Sequence, residues 1–172
     1  ATYYVDPVSG NDGNAGTSFG AAWATTQKAL DTAPAGDTTR LCKTGTETTS
    51  AVIDAATNSG SLANGYINFE RWDSTGSCLV DGYEIQASSS ISNLISYTTA
   101  ADSLKWVGVD FNGNGNVTGS LLLMDGTGEG DYTEYWRCTI RDGGANGALM
   151  RGRGIKFYEC NVHSNTLDGL KA

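Results

Sequence analysis

The chain is short of the groups that most catalytic and metal sites need. It has one histidine, four cysteines, two prolines and 17 % charged residues. No apolar run approaches the ~18 residues of a membrane-spanning helix, and no secretory leader is visible at its start. Eleven Lys and Arg against nineteen Asp and Glu give a net charge of −8 and a pI near 4.4. Phosphate-backbone recognition needs a basic footprint, so nucleic acid is excluded as a partner. Cys42, Cys78, Cys138 and Cys160 show no CxxC spacing, which argues against zinc. No Gly-x-Ser-x-Gly turn accompanies His163, so a serine-nucleophile triad has no frame. A lone histidine at a strand corner reads as a solvated turn residue before it reads as a general base.

Glycine, by contrast, is abundant: 23 of 172 residues, about twice the usual share. Val107-Gly-Val-Asp-Phe111, Trp136-Arg-Cys-Thr-Ile140 and Tyr158-Glu-Cys-Asn-Val162 overlay as near-repeats, offset by 29 and then 22 residues. Each is followed by a glycine opening a short apolar run: Gly119-Ser-Leu-Leu-Leu, Gly147-Ala-Leu-Met and Gly169-Leu-Lys. Short alternating strands at this period, joined by Gly/Asn turns, predict a solenoid whose coils bury a face only by stacking. Upstream, Trp23, Thr26, Leu30 and Ala33 share one face of a single helix, over about 22–33, ended by Pro34-Ala-Gly36. Early strands are predicted at Thr39–Lys43, Tyr66–Glu70 and Ser77–Val80, with more strand in Ile91–Tyr97.

Simple alternation through the repeats points Val107, Val109 and Phe111 inward, with Trp136, Cys138, Ile140, Tyr158, Cys160 and Val162. The same count turns Trp106, Tyr135 and Phe157 outward. Three aromatics ~4.8 Å apart per coil would form an exposed stripe, fit for a subunit seam or a sugar-stacking platform. A register shift of one residue would bury the row instead. Cys138 and Cys160 take equivalent places in successive repeats, as a stacked thiol ladder or as a bridge between coils.

Tyr3-Tyr-Val-Asp-Pro-Val-Ser-Gly-Asn-Asp-Gly-Asn-Ala-Gly-Thr17, Ala22-Trp-Ala-Thr-Thr-Gln-Lys-Ala-Leu-Asp31 and Ala35-Gly-Asp-Thr38 resemble the entry segment of right-handed parallel β-helix proteins. These form the pectin-lyase-like superfamily, which includes many bacteriophage tailspikes. Ser77-Cys-Leu-Val-Asp-Gly82 resembles its turn at the close of an early coil. The resemblance implies an all-β, single-domain right-handed parallel β-helix. An N-terminal cap over 1–36 would plug the first coil, and coils over 37–172 would leave the last one incomplete. It implies further that the open tip is covered by a partner, a symmetry mate or more chain.

Carbohydrate-cleaving members of that superfamily carry clustered acids on one outer sheet face. This chain lacks the family's Asn-Thr-Asp-Gly, Asp-Asp and Gly-His-Gly patches. The matched outward positions are Asp110, Thr139 and Asn161, a single carboxylate; two are needed for glycoside hydrolysis. Asp110 and Glu159 are the catalytic candidates, and Arg137 beside Glu159 reads as an exposed ion pair. Asp125, Glu129 and Asp131 lie on a Gly-rich loop that could gather calcium, although the spacing matches no EF-hand, so no cofactor is assigned. Two functions remain in view. The leading expectation is a non-enzymatic, phage-like virion or surface module: homotrimeric, associated with other virion proteins, outside the cell, with contact through Trp106, Tyr135, Phe157 and Arg137. The alternative is a polysaccharide lyase, a glycoside hydrolase or a glycan-binding β-helix.

Overall fold

The computed structural model describes residues 1–42, 46–55, 60, 63–72, 83–97, 102–125 and 130–172. The chain opens with strand β1 (Thr2–Val5) and, after a 3-10 turn at Phe19–Ala21, helix α1 (Thr26–Thr32). Five circuits of three strands follow. The first is β2 (Thr38–Leu41), β3 (Glu47–Thr49) and β4 (Ile53–Asp54). The second is β5 (Ile67–Arg71), β6 (Tyr83–Ala87) and β7 (Ile95–Ser96). The third is β8 (Leu104–Val107), β9 (Val109–Val117) and β10 (Leu122–Met124). The fourth is β11 (Glu134–Trp136), β12 (Thr139–Gly143) and β13 (Ala148–Met150). The fifth is β14 (Lys156–Tyr158), β15 (Asn161–His163) and β16 (Leu170–Lys171).

Each circuit adds one strand to each of three sheets, and all the pairings within them are parallel. The first sheet runs β1-β2-β5-β8-β11-β14, the second β3-β6-β9-β12-β15 and the third β4-β7-β10-β13-β16. The result is a parallel β-helix. The repeat alignment holds: Val107, Trp136 and Tyr158 are register partners, as are Phe111, Ile140 and Val162. Leu170–Lys171, expected to begin an incomplete further coil, pairs with β13 and forms the third side of the fifth circuit.

The facing of the aromatic rows needs correction. Gly108, Arg137 and Glu159 have φ of 71°, 51° and 53°, a left-handed corner residue between first and second sheets. Such a residue resets the alternation, because the next strand starts on a new face. Val109, Phe111, Cys138 and Ile140 are buried as expected, but Val107, Trp136 and Tyr158 turn outward and are half-buried. Trp106 and Tyr135 are fully buried, and Phe157 packs half-buried against the core. The presumed outer stripe is therefore an inner stack. Phe69 lies on Trp106 with centroids 4.4 Å apart, and Tyr135 on Phe157 at 4.7 Å. Only glycine takes the corner without strain, and at Gly108 a Cβ would also stand 3.2 Å from Arg71 Cβ.

Helix α1 is shorter than the predicted 22–33, for a local reason. Trp23 is pinned in extended form beside β1: its N–H donates to Tyr4 O and its carbonyl accepts from Asp6 N. Asp12 accepts from Ala24 N, Thr25 N and the Thr25 hydroxyl, and Thr25 then caps the helix at Lys28 N. Ala29, Leu30 and Ala33 join the core. Gln27 completes the edge of β4, donating to Asp54 O at 2.9 Å and accepting from Asp54 N at 2.7 Å. Of the predicted early strands, Ser77–Val80 falls outside the described residues. Strands β3 and β6 were not foreseen.

Candidate functional site

The first sheet presents two outward rows. One carries Asn68, Lys105, Glu134 and Lys156; the other carries Tyr4, Arg40, Glu70, Val107, Trp136 and Tyr158. Trp136 and Tyr158 stack with centroids 3.9 Å apart and planes at 22°, and Lys105 Nζ lies 5.0 Å from the Trp136 ring. Glu134 ties this ledge together by accepting from Trp136 Nε1 at 2.9 Å, and from Lys156 Nζ and Tyr66 Oη at 3.3 Å each. Burial, the largest influence on its carboxyl, would raise its pKa. The Trp136 and Lys156 hydrogen bonds and nearby lysine charges nonetheless hold it below the usual range. Burial, then the Glu134 charge, raises Tyr66. At the far end of the face, Arg40 lies 5.0 Å from the Trp72 ring, which meets Tyr4 edge-on at 5.4 Å.

Beside the ledge, a cleft of about 250 Å³ at the corner is lined by Arg71, Val107, Gly108 and Arg137. Arg137 also faces Glu159 at 3.9 Å, with both side chains exposed, so that pair adds little stability. Five of the eleven cations, namely Arg40, Arg71, Lys105, Arg137 and Lys156, lie on or at the rim of one face of an acidic molecule. Of the predicted contact residues only Arg137 is on this surface. Trp106 and Tyr135 lie beneath it fully buried, and Phe157 packs half-buried against the core.

The two catalytic candidates are not brought together. Asp110 faces outward on the second sheet, while Glu159 sits at the corner with Arg137. The acid next to Asp110 is Glu84, its register partner on β6. Arg141 clamps both, with Nη2 at 2.9 Å from Glu84 Oε1 and 3.0 Å from Asp110 Oδ2, and Nη1 at 2.9 Å from Asp142 Oδ2. Burial, more than any other influence, raises the Asp110 carboxyl despite the bonds from Arg141, whose own pKa is raised chiefly by its bond to Asp110. Glu84 also accepts from Asn112 and the Thr46 hydroxyl. One guanidinium thus bridges a file of carboxylates, a clamp between coils. His163 is exposed near it, with Nδ1 3.0 Å from Ser164 Oγ. Replacing Arg141 by Met is expected to cost about 2 kcal/mol in urea unfolding, between surface and buried pairs, because the acids are left facing one another. A loss indistinguishable from zero would show the clamp to be idle.

Two of the three calcium candidates are paired with arginines. Asp125 pairs with Arg151 at 3.0 Å, and Asp131 accepts from Arg153 Nε at 3.0 Å and from its backbone N–H at 2.5 Å. Glu129 lies outside the described residues. Among the described residues no group of three His, Cys, Asp or Glu is placed to hold an ion. Glu84 is not legible because β6 belongs to no visible repeat, and Arg141 because its reach across the coils is a tertiary contact. The outward alternation of Tyr83-Glu-Ile-Gln-Ala87, apolar at every second position, was the available signal.

No known protein family matches the chain by sequence pattern, and no curated protein matches it. Solved structures do. Pectate lyase Pel9A superposes with a TM-score of 0.50 at 19 % identity, over 98 % of this chain and 49 % of its own. A rhamnogalacturonan lyase aligns with a TM-score of 0.45 at 17 % identity, over 99 % of this chain and 61 % of its own. The chain spans about half the length of the pectate lyase. The three parallel sheets, together with the pectate lyase match, define the fold as a parallel β-helix.

Proposed function

We propose that this β-helix binds an acidic glycan along the outer face of its first sheet. One observation carries the reading: an outward Trp136–Tyr158 stack flanked by Lys105 and Lys156 and bordered by the Arg71/Arg137 cleft. Sugar rings offer C–H faces that aromatic rings cover, and uronate carboxylates need cations or N–H donors. The pectate lyase of similar fold lends this weight, since pectate is a polyanion.

The proposal is binding rather than cleavage. Glu134, the carboxylate beside the aromatic stack, is held ionised by Lys156 and Trp136, which makes it a weak base. The virion role expected from the resemblance has no observation of its own behind it. Its trimer seam was assigned to the aromatic row that lies inside the coil.

The test is calorimetric titration of the whole chain with polygalacturonate oligomers and with a neutral galactan. Binding of the acidic oligomers alone is expected, weakening as salt rises. Trp136→Ala should lower affinity about tenfold, ~1.4 kcal/mol, while its loss of the Tyr158 stack, about 1 kcal/mol, leaves the chain folded. Equal binding of neutral and acidic polymers, or no loss in the variant, would sink the reading.

A further inference from the structure

The glycan surface makes no use of the cysteines. Cys42 is disulfide-bonded, and Cys78 lies outside the described residues. Cys138 and Cys160 are both free thiols, one residue past the left-handed corners at Arg137 and Glu159, in the fourth and fifth circuits. The pairing next to them fixes their alignment. Asn161 N–H donates to Cys138 O at 2.9 Å, and Thr139 is the register partner of Asn161. The two cysteines are therefore opposite one another on adjacent parallel rungs. Rungs lie ~4.8 Å apart, inside the ~4.4–6.8 Å window of Cα separations that a disulfide spans.

The side chains are coupled as well as the backbones, each thiol being the largest influence on the other's pKa. Cys160 Sγ lies 3.4 Å from Tyr135 O, a carbonyl of the circuit that holds Cys138, and 3.4 Å from Tyr158 O of its own, so it sits between the two coils. Their environments differ. Cys138 is buried, and its bond to Cys160 together with burial raises its pKa; Cys160 is half-buried, and the bond from Cys138 pulls it down to about 7. That asymmetry makes Cys160 the attacking sulfur and Cys138 the resolving one.

We infer that Cys138 and Cys160 form a redox-active pair that closes a reversible disulfide between the fourth and fifth coils. The oxidant is a low-molecular-weight disulfide such as oxidised glutathione. Cys160 thiolate attacks one glutathione sulfur, forming a mixed disulfide and expelling one glutathione thiolate. Cys138 then gives up its proton and attacks Cys160 Sγ, forming the protein disulfide and expelling the second. The dithiol loses two electrons, the glutathione disulfide gains them, and both thiol protons end on the released glutathione. The Cys42 disulfide shows that the chain sustains this bond type.

The test equilibrates the folded full chain in buffers of graded reduced-to-oxidised glutathione, followed by acid quench, alkylation and peptide mass analysis. A Cys138–Cys160 linked peptide should accumulate in oxidising buffer and vanish on return to reducing buffer. Cys160→Ser should remove it, while Cys138→Ser should trap glutathione on Cys160. Full alkylation of both cysteines after oxidation, or a persistent glutathione adduct on Cys160 in the unaltered chain, would overturn the inference. Unfolding profiles run in parallel verify that each variant is folded.

Discussion

Replacing Trp106 by alanine is expected to lower the unfolding free energy by about 3–5 kcal/mol, the range for deleting a large buried aromatic. Trp106 is fully buried, stacked on Phe69, edge-on to Phe111 at 5.5 Å, and donates Nε1–H to Tyr97 Oη at 2.9 Å. Tyr97 in turn meets Tyr135 Oη at 2.6 Å, so the three polar tips satisfy one another inside an apolar coil. Burial raises both tyrosines far enough to keep them neutral. The informative comparison is Val107→Ala, one residue along and facing outward. It should cost under about 1 kcal/mol, as a partly exposed truncation away from the core does. Urea unfolding of both variants decides the matter: if Val107→Ala proved the more damaging, the corner at Gly108 would not reset the faces as described.

The second large effect is expected at Glu47. Its side chain points into the coil in line with Ile85 and Phe111, yet it is an acid. It accepts from Thr26 N at 2.9 Å, from the Thr26 hydroxyl at 2.5 Å and from the Tyr83 hydroxyl, joining helix α1 to the first and second circuits. Glu47→Ala would orphan these buried donors at about 1–3 kcal/mol each, so a loss near 3 kcal/mol is expected after partial relaxation. Glu47→Gln keeps an acceptor and removes the charge, and should be tolerated far better.

The pH dependence has a definite sign. Burial, opposed by the Thr26 and Tyr83 hydrogen bonds, raises the folded carboxyl above its usual value. Between the unfolded and folded values the native state binds the extra proton, so its stability rises as pH falls. The charged-state penalty is present in full above the folded value and is relieved as pH drops through it toward 4.5. Unaltered protein should therefore gain on Glu47→Gln as the solution is acidified through that window. A constant gap across the range would show that Glu47 does not titrate with folding.

Much of the architecture was legible in the primary structure. Val107, Trp136 and Tyr158 could be aligned because a solenoid repeats its cross-section, and repetition is written directly as periodic apolar residues. What could not be read was the corner. Arg137 and Glu159 carry no mark of a left-handed backbone, since that conformation is forced on them by stacking upon Gly108 and its corner. Alternation counted straight through it put Trp106 outside and Trp136 inside, the reverse of their places. Glu84 escaped for a related reason: its strand repeats in space under Asp110 but not in sequence, and only the coil brings Arg141 across both.

Spacing and composition by themselves determined that the chain would wind, where its rungs would align, and that Cys138 would fall beside Cys160. Which side of each rung met solvent, and hence where a glycan could lie, was decided by tertiary structure alone. The physical reason is that a coil's corner is held by the corners above and below it, and one left-handed residue there breaks the in–out count between the two strands it joins.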